Sequence, residues 1–230
     1  MRPITLSITT LFALAAVALA QTPSAPPKAP ATTSSPAAST ATSTSTSSSS
    51  STAMPSADEM KQMMEMAKLN ENHKMLADTA GTWSYVVKMY MDPNGAPTES
   101  KGTLIRKAVM DGRYVTGDYS GSFKMPGADG KMQEMNFKGM SMDAYDNVKK
   151  KFVSGWVDNM GTGIMITEGA YDPATKSITY TGEFEMMPGQ KAKVREVVKF
   201  TDKNTMNMEY YEDRGQGEAK SMEIAYTRKK

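Results

Sequence analysis

Between Gly112 and Gly163 the chain reads strand, turn, strand, turn, strand, with almost no residues to spare. Arg113 to Phe123 forms one extended run, ended by Met125-Pro126-Gly127-Ala128-Asp129-Gly130. Met132 to Tyr145 forms the next, ended at Asp146-Asn147, and Lys151 to Asp158 follows. Turns this short permit only antiparallel neighbours, because a parallel return needs a crossover of about a dozen residues or more.

The flanks continue the pattern. Trp83, Tyr85, Val87, Met89 and Met91 share one face before the turn Asp92-Pro93-Asn94-Gly95. Leu104, Arg106 and Ala108 alternate with Ile105, Lys107 and Val109 up to a hairpin at Asp111-Gly112. Downstream lie Ile164 to Tyr171, Ser177 to Met186, Lys193 to Phe200, Thr205 to Glu212 and Ala219 to Arg228, each bounded by Gly, Pro, Asn or Asp. About ten strands with hairpin loops predict a mainly β, antiparallel up-and-down barrel, since an open sheet would expose long edges. Toward the C-terminus the inner row is apolar: Ile178, Tyr180, Phe184; Val194, Val198, Phe200; Met206, Met208, Tyr210; Met222, Ile224, Tyr226. Thr179, Glu183, Lys193, Arg195, Asn207 and Glu223 fall on the opposite, wet face.

The barrel domain is read as 81–230, preceded by an amphipathic helical segment, 56–80. Ser56 and Glu59 have the spacing of a capping box, and Met60, Met63, Met64 and Ala67 follow one helical face. Asn70 and Asn72 break or re-cap the helix, with a last turn at His73 to Ala77. An apolar helical face needs a partner, and a lid over one end of the barrel is the simplest one.

Residues 1–20 have the form of a secretory signal peptide: Arg2, an apolar run from Ile4 to Leu19, and the small-x-small site Ala18-Leu19-Ala20. Residues 21–55 form a Ser/Thr/Pro/Ala-rich linker with one charge, Lys28. It has too few large apolar side chains to offset the entropy of ordering. The expected location is therefore secreted and periplasmic, with no stable membrane insertion once the leader is cleaved. The chain has no cysteine, which excludes disulfides, thiolate chemistry and lipid attachment at the cleavage point. A net charge of +2, or +1 without Arg2, gives no electrostatic case for nucleic acid.

In its short motifs the chain resembles the bacterial domain-of-unknown-function 1579 family. The resemblance runs from His73 to Arg228 and rests on Gly81-Thr82-Trp83, Gly112-Arg113-Tyr114 and Tyr119-Ser120-Gly121, then Ala144-Tyr145-Asp146-Asn147, Trp156-Val157-Asp158, Glu168-Gly169 and Met222 to Arg228. Ala144 stands where the family usually has glycine. The resemblance implies a calycin-like β-barrel and no established activity. Calycin relatives carry small apolar ligands, but a fold alone does not set a function.

No catalytic or metal motif is present, and no cofactor is expected. His73 is the single histidine and lies outside the predicted strands, which removes two-histidine metal centres and haem ligation from the barrel wall. Methionine is abundant, with 22 residues, while leucine is scarce. Met60, Met63, Met64 and Met66 form a thioether cluster that suits Cu(I) or oxidant buffering. The shortage of leucine favours packing, because many of these methionines stand where the period asks for an apolar residue. Charges on interior-looking faces are more informative. Arg106 lies between Leu104 and Ala108, Glu196 between Val194 and Val198, and Glu168 follows Ile164 and Ile166. A buried charge must be paired. These three residues, with Tyr119, Trp156 and Tyr180 as walls, are the candidate anchor for a small apolar or amphipathic ligand. Hydrolysis by barrel carboxylates is the enzymatic alternative, and nothing in the spacing supports it.

Overall fold

The structure is a computed structural model, and it describes residues 54–91, 95–127 and 129–230. The leader, nearly all of the linker and the Asp92-Pro93-Asn94 turn lie outside the described residues. Two helices, α1 (Ala57–Met66) and α2 (Glu71–Ala77), precede ten strands. These are β1 (Gly81–Met89), β2 (Thr98–Val109), β3 (Tyr114–Pro126), β4 (Met132–Asp146), β5 (Lys151–Asp158), β6 (Met165–Asp172), β7 (Ser177–Met187), β8 (Gln190–Asp202), β9 (Thr205–Asp213) and β10 (Glu218–Arg228). Each strand pairs antiparallel with its sequence neighbours, and β1 pairs with β10, so the sheet closes into a ring. Among the described residues no helix is long and apolar enough to cross a membrane.

The two ends of the ring differ. At the lower end lie the start of β1, the β2–β3, β4–β5, β6–β7 and β8–β9 turns, and both helices. The β2–β3 hairpin turns where expected, with Asp111 and Gly112 at φ 59° and 87°, a region glycine enters without strain. The remaining loops ring the upper end.

The lower half of the interior holds an apolar cluster. Trp83, Leu104, Val115, Phe152 and Ile178 are almost completely buried there. α2 closes this end, with Leu76 packed against Val115, Phe152, Ile178 and Tyr180. Asn70 caps α2 by accepting from the Asn72 N–H, while Nδ1 of His73 accepts from the Asn70 N–H. The His73 ring also meets Tyr145 edge-on, at 5.6 Å between centroids. Burial lowers its pKa.

The lid is therefore α2, and the expectation for α1 is corrected. α1 does have its capping box, with Ser56 and Glu59 bonding reciprocally. None of its residues is buried, and Met63 and Met64 stay 59% and 63% exposed. Its C-terminal end is held by polar bonds alone: Asn147 Nδ2 donates to the Met66 and Lys68 carbonyls, and Arg113 donates to the Ala67 carbonyl. Those bonds fix where the helix ends, and they turn none of its faces toward the core.

Candidate functional site

Above the packed floor the barrel carries a polar layer. Arg106 on β2 and Asp143 on β4 both point inward and form an ion pair of 2.6 Å, with side chains only 11% and 9% exposed. Asp143 also accepts from Ser154 Oγ on β5 at 2.6 Å and, more weakly, from Ser141 Oγ at 3.4 Å. Arg106 Nε donates to Thr79 Oγ1 at 2.9 Å, and Thr79 Oγ1 donates to the Leu76 carbonyl at 2.6 Å. One continuous network thus ties the plug helix to the centre of the barrel. Burial opposes the Arg106 charge, but Asp143, Tyr119 and Tyr180 together outweigh it and the guanidinium pKa rises.

Around this pair stand Tyr119 on β3, Tyr180 on β7, Tyr226 on β10 and Glu196 on β8. Burial raises the pKa of all three phenols, and the ionised groups of the layer act on each of them. In the sheet register Glu196 lies between Tyr180 and Tyr210. No donor reaches its carboxyl group among the described residues. Burial, and then the negative charge of Asp143, push its pKa up to about 7. The group is deep among protein atoms, yet the residue keeps accessible surface. Both facts hold for a side chain that lines an internal space.

From the polar layer an aromatic wall climbs toward the upper end. Tyr226, Tyr85, Tyr119 and Trp156 meet in sequence, at 6.1, 6.0 and 5.0 Å between centroids. Phe137 stacks on Trp156 at 6.2 Å, and Phe123 meets Phe137 at 6.2 Å. Glycines opposite make the room: a Cβ at Gly102 would overlap the Tyr85 phenol, and one at Gly139 would overlap the Trp156 indole. Methionines form much of the facing wall, with Met89, Met208 and Met222 packed around the β1–β9–β10 core.

Five of the six residues expected from sequence, Arg106, Tyr119, Trp156, Tyr180 and Glu196, face the same interior. Glu168 does not. It lies on the outer surface, bonded to Lys149 at 2.6 Å and Lys151 at 3.1 Å, and its interior placement is corrected. The reason is a reversed phase in β6, where Ile164 and Ile166 point outward, 72% and 51% exposed, while Met165, Thr167 and Gly169 face in. Sequence reasoning missed Asp143, Ser154 and Tyr226 as members of the layer. Asp143 alternates with Met140 and Met142, and the apolar pair holds the outer face.

Residues 68–228 match the sequence model described as protein of unknown function (DUF1579). The chain belongs to that family. No curated protein matches. Among solved structures, that of Rv2717c from M. tuberculosis is similar at 14% identity, with a TM-score of 0.51, covering 71% of this chain and all of that one. The S-type phycobiliprotein lyase CPES from Guillardia theta is similar at 9% identity, with a TM-score of 0.47, covering 73% of this chain and 97% of that one. The likeness to Rv2717c speaks to the barrel fold of the DUF1579 chain alone and leaves its chemistry to its own residues.

Proposed function

We propose that the barrel is a carrier for a small amphipathic molecule, with the ligand's polar end on the Arg106–Asp143–Glu196 layer and its apolar part along the aromatic and methionine walls. The observation that supports this reading is a group of inward aromatic and methionine side chains that are not fully covered. Trp83, Leu104, Val115, Phe152 and Ile178 are almost completely buried, whereas Tyr119, Phe123, Phe137, Trp156, Met208 and Met222 also point inward and keep accessible surface. Side chains that face a closed ring without being buried border unfilled space, the usual form of a ligand pocket. A methionine wall adapts its shape to varied apolar groups. On the leader and linker compositions, we place this activity outside the cytoplasm.

Native mass spectrometry of the protein purified from its own host tests the proposal. The expected result is an organic mass that leaves on denaturation. In parallel, N-phenyl-1-naphthylamine should bind with enhanced fluorescence and quench Trp156, and Trp156→Ala should weaken it about tenfold, the typical scale for losing an aromatic anchor. A protein that carries no adduct and binds no dye is not a carrier.

A further inference from the structure

We infer that the lumen selects amphiphiles whose polar end is a cation or a hydrogen-bond donor, an alkylammonium above all, and turns away fatty-acid carboxylates. This rests on the carrier reading and goes further, because it assigns the head-group chemistry. The cation that a carboxylate ligand would seek in this layer is already occupied. The Arg106 guanidinium is bound to Asp143 at 2.6 Å and to Thr79 at 2.9 Å. The Asp143 oxygens hold Ser154 and Ser141 as well. Arg106 and Asp143 cancel, so Glu196 alone sets the charge of the layer.

Glu196 is held differently. No donor serves it among the described residues, and the groups that face it are phenols and one further carboxylate: Tyr180 from β7, Tyr210 from β9, Tyr119 from β3, Tyr226 from β10 and Asp143 from β4. Arg106 is the cation of the layer, and it is committed to Asp143. A carboxyl set deep among protein atoms with no donor beside it is costly, and a ligand that donates to it removes that cost. An ammonium brings the layer to neutrality, and the tyrosine faces around it favour a cation. A fatty-acid carboxylate would add a second uncompensated anion beside the first, which low-dielectric surroundings make strongly unfavourable. The raised pKa of Glu196 agrees with this arrangement.

The test uses the full mature chain and three ligands of equal chain length, decylammonium, decanol and decanoate, each displacing N-phenyl-1-naphthylamine. At pH 8 decylammonium should displace the dye at about thirtyfold lower concentration than decanoate, the scale of one buried charge-assisted bond. Its affinity should rise from pH 5.5 to 8 as Glu196 ionises. Glu196→Gln should lose roughly tenfold in decylammonium affinity, abolish its pH dependence and leave decanol within about twofold. If decanoate displaces the dye as well as decylammonium does, the head-group inference fails and the carrier reading stands. If the dye does not bind and none of the three ligands binds by calorimetry, the carrier reading falls and takes the inference with it. The wild-type comparison of the ammonium with the carboxylate needs no variant, so a misfolded Glu196→Gln would not spare the inference.

Discussion

The lower and upper halves of this barrel share one set of strands and differ in what fills them. Below the Arg106–Asp143 layer Leu76, Val115, Phe152 and Ile178 are packed together and α2 covers the end. Above it, inward aromatic and methionine side chains keep accessible surface. The polar layer is the boundary. Its charged pair can be buried because Arg106 and Asp143 neutralise each other, and it stands between the half that holds the fold together and the half proposed as the ligand site.

The most severe way to break this division is to take one partner from the layer. Asp143→Ala leaves the Arg106 guanidinium buried and unpaired, and should cost about 3–5 kcal/mol in urea unfolding. The double variant Arg106→Met with Asp143→Leu should recover at least half of that loss, because well-packed apolar residues often replace a buried pair without penalty. Next comes the floor. Leu76→Ala should cost about 2–4 kcal/mol, as expected for a buried leucine whose cavity cannot collapse.

A subtler test comes from pH. The folded-state pKa of Glu196 is raised from 4.5 to about 7, so the folded state holds the proton longer than the unfolded state. This group therefore lowers stability as pH rises from 4.5 to 7, and its penalty is complete above 7. Glu196→Gln should gain roughly 2 kcal/mol at pH 8 and little at pH 4, read from paired denaturation curves. His73 acts in the other direction. Its folded pKa is lowered by burial, so its contribution is intact above 6.5 and is lost as pH falls below that value. The smallest effect belongs to α1: Met64→Ala should change stability by less than about 0.5 kcal/mol, since nothing packs on that side chain.

These contrasts also mark how far the sequence could be read. Strand number, hairpin loops and closure were legible, because turn residues and period two do not depend on what lies inside. The inner face was legible from β7 to β10, where Val194, Met206 and Ile224 are the inward residues. It was misread in β6 and left unread in β4 and β5, where the rule of apolar inside is reversed. There Met140, Met142, Ile164 and Ile166 lie outside, and Ser141, Asp143, Ser154 and Thr167 lie within. A barrel that keeps a polar layer must give some strands a polar inner row, and alternation by itself does not say which row that is. For the same reason Arg106 and Glu196 were found, as charges between apolar neighbours, while Asp143 was hidden behind Met140 and Met142, whose row looked like the inner one. The helices reversed roles for a geometric reason: the shorter α2 is joined to β1 at Gly81 and cannot swing clear of the ring.

The ring closes where its first strand meets its last. Tyr85 faces Tyr226, the Lys229 N–H reaches the Thr82 carbonyl, and Arg228 stacks on Trp83 at 4.3 Å while bonding the Asp78 and Ala80 carbonyls. Without β10, β1 keeps an unmatched edge and the Trp83 indole lacks its cover. No fragment that stops short of β10 can close the ring, because the seam needs both of its strands.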